Sequence, residues 1–231
     1  SASATAGITA MTVFGTAVVG SMANLAEAAP SPLAPISFNP VAPSLVPMTD
    51  AVTVPEGYTA KVLISWGDSI TKEPHWDTVS AMDEATQLHC YGAHTDGMHY
   101  FPLPGLAGNR RGLLVSNSEY CDPPLVNNIS PAADYAKASI TLEMVRAQQA
   151  AHGVNIVGIE KKHNQWSVNR NWPLNRRITG NTPCRISGPA AGHALMKTAA
   201  DPSGKKVLGT LNNCAHGYTP WGTYLACEEN W

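Results

Sequence analysis

Apolar and polar positions alternate in short runs along most of this chain and fall into helical period only once. Tyr58 to Trp66 alternates and stops at Gly67-Asp68, which predicts a strand closed by a turn. Gly112 to Ser116 is a short apolar run of the kind a buried strand gives. Val154 to Lys161 and Gln165 to Asn169 flank Lys162-His163-Asn164, the pattern of a hairpin. Lys206 to Leu211 and Thr223 to Cys227 predict a further strand pair around a Gly/Pro/Trp loop. The helical stretch is Ser139 to His152, with Ile140, Met144, Ala147 and Ala151 on one face and Gly153 as its stop. Val79 to Gln87 reads as a shorter helical turn. Many short strands between turn signals argue for a mainly β fold with a few short helices. Periodicity does not choose among sandwich, barrel and propeller, and no internal repeat is visible.

Composition changes this picture at the amino end. The first sixty residues hold no Lys or Arg. Ile8 to Ala29 is mildly apolar, rich in small residues, and ends in Ala26-Glu27-Ala28-Ala29-Pro30, as an export signal does. The charged segment that should precede such a signal is missing, and Asn24 and Glu27 interrupt the run, so a weakly helical amino terminus stays open. The stretch is too polar for a stable membrane span. Residues 30 to 53 are proline-rich and read as an extended linker. Charged residues make up 14% and the net charge is -2, so no basic surface invites nucleic acid. Five cysteines leave at least one without an intramolecular partner. Cys90, Cys121, Cys184 and Cys227 could pair or stay buried. Cys227 lies in an apolar alternation and reads as a core residue, whereas Cys214 sits among polar and turn residues and is the candidate free thiolate.

The candidate chemistry concentrates in Asn212 to Trp231. Cys214, His216 and the adjacent carboxylates Glu228 and Glu229 combine a soft sulfur ligand with hard oxygen ligands, which suggests a centre holding more than one kind of ion. This string resembles the signature of the PhoX-type alkaline phosphatases, secreted metal-dependent phosphomonoesterases. Three further segments resemble the same family in the same order: Val54 to Ile70, Phe101 to Tyr120 with its Asn117-Ser118-Glu119-Tyr120, and Asn175 to Thr198. The resemblance spans residues 54 to 231 and implies the amino-terminal part of a β-propeller phosphatase, with metals at one mouth of its channel. It also implies ferric iron (Fe3+) with calcium (Ca2+), small-molecule phosphate esters as substrates, a monomer, and export by the twin-arginine route to the periplasm or exterior. Members are much longer than this chain, so the chain is expected to be truncated and inactive alone. The family's phosphate-clamping arginine is expected beyond Trp231. Arg177 and Arg185 are the nearest internal arginines, and nothing in the sequence supports either.

Residue by residue, the resemblance implies Cys214 as an iron thiolate, Glu229 as a carboxylate ligand, and Glu119 as a calcium-side ligand. Strand alternation sends Glu228 and Glu229 to opposite faces, and Glu229 is preferred. His216 is a weaker candidate. Spacing alone does not bring Cys214 and Glu229 together: in a simple hairpin they lie ~20 Å apart along the strand at 3.3 Å per residue.

Two other readings stand beside this one. Gly67-Asp68-Ser69-Ile70 after an apolar run looks like the nucleophile block of a GDSL-type serine esterase, and Asp96-Gly97-Met98-His99 mimics that family's Asp-x-x-His. Those esterases place Asp and His late in an alternating α/β domain, whereas here Ser69 and Asp96 are close and alternating helices are absent. The other alternative is a non-catalytic, calcium-binding part of a propeller. Without the resemblance, Cys214 reads as an ordinary buried or disulfide cysteine and Trp221 as loop packing.

Overall fold

β-branched residues crowd the segment Gly153–Lys162 (β3), and the sheet is arranged around it. The computed structural model of the chain describes residues 37–43, 51–104, 110–129 and 139–229. The export-like segment 1–29 and part of the linker 30–53 lie outside the described residues. The chain divides into two units, Ser1–Ala60 and Lys61–Trp231. In the first, the described residues form no helix or strand, a turn at Glu56-Gly57 is closed by the Tyr58 N–H on the Pro55 oxygen at 3.0 Å, and the Tyr58 ring meets Phe38 edge-on at 6.3 Å.

The second unit runs α1 (Glu84–His89), β1 (Thr95–Pro102), β2 (Arg111–Ser118), α2 (Pro123–Val126), α3 (Leu142–Ala151), β3, β4 (Gln165–Val168), β5 (Arg176–Ile178), β6 (Pro183–Arg185), β7 (Lys206–Leu208), β8 (Asn213–Tyr218) and β9 (Tyr224–Glu228). Strands β1 to β4 form an antiparallel meander in sequence order, and β5 pairs with the first half of β3. β6–β7 and β8–β9 are separate two-stranded sheets. The fold is therefore mainly β with short helices, as the pattern predicts. Among the described residues the main sheet does not close on itself.

Alternation along β3 gives the sheet two apolar faces. Val157 and Ile159 pack with Ile70 and Tyr91 on one, and Val154 and Ile156 pack with Val115 on the other. A fully buried side chain such as Val157 is stabilised by about 1.5–3 kcal/mol. His163 and Asn164 take φ of 48° and 63°, which gives the β3–β4 hairpin its tight turn. Helix α3 matches its prediction closely. Thr141 caps it, Ala147, Ala150 and Ala151 are its buried face, and Ile140 stays exposed ahead of the cap.

Several expectations are corrected. Tyr58 to Trp66 forms no ladder. Leu63 and Ile64 are neighbours that both pack on the core, so this segment does not follow a pleat, and Val62 is exposed. The short helix begins at Glu84 instead of Val79. The Asp77 carboxylate accepts from the backbone of Val79 and Ser80 and holds that stretch in a turn, and Asp83 supplies the cap. Lys206–Leu208 pairs with Pro183–Arg185, and Tyr224–Glu228 pairs with Asn213–Tyr218, so the two runs expected to pair do not meet in one ladder. Cys227 is exposed, because β9 is covered poorly in its two-stranded sheet. Trp221 is also exposed, at the tip of that hairpin, rather than packed. All five cysteines are free thiols, with Cys90 and Cys121 buried.

Candidate metal centre

Two strand irregularities create the site. The β1–β2 register shifts between Thr95 and Met98, and the β8–β9 register shifts between Asn213 and His216. Asp96 lies in the first irregularity and Cys214 in the second. Bulges re-aim side chains in this way. Glu119 follows directly on β2, where Ser118 pairs with Thr95. The ligand atoms of Asp96, Glu119 and Cys214 all lie within 4.8 Å of one another.

Gly97 lets β8 approach. A Cβ there would stand 2.8 Å from the Cys214 carbonyl oxygen and 2.8 Å from Nδ1 of His216. A strand glycine with another backbone this near marks a required close approach. On β2, the fully buried Asn117 amide donates to the Cys214 oxygen at 2.8 Å and to the Ala215 oxygen at 3.2 Å. Tyr224 Oη lies 2.9 Å from both the Gly97 oxygen and Oδ1 of Asn117. Behind Glu119, its backbone N–H donates to the His94 oxygen at 3.0 Å, and its own oxygen accepts from Nδ1 of His152 at 2.8 Å. Burial lowers the pKa of His152, which favours the neutral ring, and the Glu119 carbonyl 2.8 Å away calls for the ring proton on Nδ1.

The site is negative. The Cys214 thiol is pushed up to about 12, first by its hydrogen bond to Asp96, then by burial and by the charges of Asp96 and Glu229. Among the described residues no cation forms an ion pair with Asp96, Glu119 or Glu229. Carboxylates converging on a thiol that they hold protonated suit a cation, which would stabilise the carboxylates and draw off the thiol proton. The donor set could hold a transition metal at the thiolate and a hard cation at the carboxylate oxygens.

The structure brings two sequence-predicted residues, Cys214 and Glu119, into one cluster, and it places Glu229 beside the Cys214 thiol. The expected separation of Cys214 from Glu229 does not occur. The hairpin turn is at residues 219–223, so Asn213 pairs with Glu228 and the two ligand candidates sit on adjacent strands. Glu228 is used elsewhere, its Oε1 accepting from Thr210 Oγ1 at 2.7 Å and from the Leu211 N–H at 3.0 Å. His216 is exposed and stacks on Tyr224, with centroids 5.7 Å apart.

Asp96 is the site residue that sequence reading missed as a ligand, since it entered only through the esterase-like Asp-x-x-His. Its visible signal was a carboxylate followed by a glycine in an alternating run. For the esterase alternative, the Ser69 side chain is buried and its hydroxyl exchanges hydrogen bonds with the Thr71 backbone at 3.2 Å. Asp96 belongs to the metal cluster, and His99 stacks on Tyr218 at 3.7 Å. Arg177 is buried and donates to the carbonyls of Cys90, Ala151 and His152, with its pKa lowered to about 10 by burial. Arg185 is exposed on β6.

Against known proteins, the family model described as Alkaline phosphatase PhoX matches residues 36–231. The structure of Pseudomonas fluorescens PhoX in complex with vanadate, a transition state analogue, matches with a TM-score of 0.70 and 44% identity. That match covers 77% of this chain and 29% of the Pseudomonas chain, so the present chain spans under a third of its length. No curated protein matches.

Proposed function

The chain belongs to the PhoX alkaline phosphatase family, and from that premise we propose that the intact protein hydrolyses small-molecule phosphomonoesters at a centre of iron and calcium ions. The observation that carries this reading is the convergence of Asp96, Glu119 and Cys214 inside the family-matched segment, with Glu229 beside the thiol. When bound, such ions neutralise the phosphoryl oxygens and hold the ester for in-line attack. Cys214 would hold iron through Sγ and give up its proton on binding. Asp96, Glu119 and Glu229 would supply carboxylate oxygens. Asp96, whose carboxylate accepts the hydrogen bond of the Cys214 thiol, would be freed to hold an ion once that proton leaves. No residue of this chain acts as the nucleophile in this reading. Ions that hold the phosphoryl group rather than the alcohol support tolerance of many leaving groups.

Within the five-stranded sheet, the meander β1 to β4 has the strand order of one propeller blade, and we assign it that place in a larger propeller, with β5 as an addition beside β3. Further ligands and the phosphate clamp are placed outside these 231 residues, so this stretch alone is expected to be inactive. Residues 1–29 support export to the periplasm or exterior by the twin-arginine route, and a monomer is expected. No described helix is long and apolar enough to cross a membrane.

The test is to purify the intact protein and measure turnover of an aryl phosphate and of an aryl acetate, with this 231-residue stretch beside it. Phosphate turnover by the intact protein and none by the stretch is expected. Acetate turnover lost in Ser69→Ala, without phosphatase activity, overturns the reading in favour of the esterase. Fractionation of the source cells tests export, and cytoplasmic activity overturns it.

A further inference from the structure

Among the described residues no ladder joins the β8–β9 hairpin to the main sheet, so backbone register does not set Cys214 against Asp96 and Glu119. Something else must, because metal ligands have to be held to within a fraction of an ångström. The side chain best placed to do so is Asn117. It is fully buried on β2, two residues before Glu119. Its Nδ2 donates across to Cys214's own carbonyl at 2.8 Å and to Ala215's at 3.2 Å. Its Oδ1 meets the Tyr224 hydroxyl at 2.9 Å, and that hydroxyl also reaches the Gly97 carbonyl, next to Asp96. One amide and one phenol therefore connect β1, β2, β8 and β9 at the residues that carry or adjoin the cluster.

We propose that Asn117 and Tyr224 form a positioning pair that fixes the spacing of the metal ligands Asp96, Glu119 and Cys214. The inference rests on the metal-centre reading above. Neither residue belongs to the ligand cluster itself. The amide orientation follows from its neighbours: two carbonyl oxygens face Nδ2 and need a donor, while Oδ1 faces the hydroxyl. In Asn117→Asp a carboxylate would face those carbonyls, losing both donors and adding repulsion. A merely structural amide exists for comparison. Asn155 on β3 is equally buried and bonds Gly92, Ser116 and Ser118 instead.

The experiment uses the intact protein carrying Asn117→Asp, Asn117→Ala, Tyr224→Phe or Asn155→Asp. Iron and calcium content are measured by elemental analysis, and affinity by dialysis of each metal against a chelator series. Tm, kcat and KM on an aryl phosphate are measured beside them. The Asn117 variants should lose about 10–100-fold in metal affinity. Their kcat should fall with occupancy and recover in excess metal, while KM holds. Tyr224→Phe should move the same way by less, and it carries the test if the Asn117 variants do not fold. Asn155→Asp should lower Tm yet keep its metal. The inference is overturned if Asn117→Asp and Tyr224→Phe hold metal as tightly as the wild type, or if Asn155→Asp loses metal as they do. A wild type that binds iron and calcium without phosphatase activity overturns the proposed function alone. A wild type that binds neither overturns both.

Discussion

β3 and β9 are both antiparallel strands, but one is buried over most of its length and the other is largely exposed. β3 is held by apolar packing on both faces and by three strand partners, β2, β4 and β5. The hairpin β8–β9 is tied to the sheet by the buried Asn117 amide and by the half-buried Tyr224, whose hydroxyl meets that amide and whose ring also packs on Val115, Val154 and Ile156. The apolar region sets where the strands lie, and the polar region sets where the ligands lie. Hydrophobic packing is non-directional and tolerates small shifts, whereas a hydrogen-bonded amide fixes one distance and one angle. A metal centre placed on the second kind of attachment gains geometry without needing much stability of its own.

The sharpest way to break the apolar side is Gly153→Ala. Gly153 has φ of 119°, and a Cβ there would stand 1.9 Å from the Ile178 carbonyl oxygen. The backbone cannot yield without separating β5 from β3. A loss of more than about 3 kcal/mol is expected, read by denaturant unfolding. A loss under about 1 kcal/mol would show that β5 is free to move and that the contrast with the hairpin is overstated.

On the polar side, Cys214→Ser in the intact protein should remove iron and cost ~10²-fold in turnover. Its Tm should hardly change, because Cys214 belongs to no apolar cluster. Cys227→Ser, on the exposed strand, should alter stability by less than about 0.5 kcal/mol and leave iron in place. Iron retained in Cys214→Ser would remove that residue from the ligand set.

These two regions were also unequally legible in the sequence. The hairpin β3–β4 and helix α3 could be read because burial drives them, and burial writes itself as periodicity. Glu119 and Cys214 were found through their motif context. Asp96 was not, because a bulge turns its side chain and a bulge leaves no periodic trace. The pairing of β8 with β9 was misread since both strands are short and mostly exposed, so neither carries a strong alternation. Tyr58 to Trp66 failed in the opposite sense: of its apolar residues only Leu63, Ile64 and Trp66 pack on the core, along a segment that pairs with no strand, and period alone does not separate the two.

Gly97→Ala tests the attachment between the regions with a smaller change. The added methyl would press on the Cys214 oxygen and on the His216 ring, and the ring is the part able to move. The hairpin should shift by a few tenths of an ångström, with metal affinity falling about tenfold and Tm little altered. An unchanged affinity would mean that β8 accommodates the methyl without disturbing Cys214.

Acid offers the mildest probe of the same contrast, in the loop between β6 and β7. Asp201 accepts from the Ser203 hydroxyl and from the backbone N–H groups of Ser203, Lys205 and Lys206. These bonds, the Ser203 hydroxyl first, lower its pKa to about 2. The unfolded value is about 3.9. With the folded value below the unfolded one, the unfolded chain binds more protons between them. Stability from Asp201 is therefore complete above about pH 4 and is lost as pH falls through about 2. The buried core of β3, from Val154 to Ile159, contains no titrating side chain and should not follow. Amide exchange across residues 198–206 should quicken with falling pH relative to base-corrected exchange in β3. In Asp201→Asn the loop should exchange faster already at neutral pH, with that pH dependence gone. Equal protection of the loop in wild type and Asp201→Asn would show that the carboxylate does not hold it, and that this part of the polar half is fixed by its backbone alone.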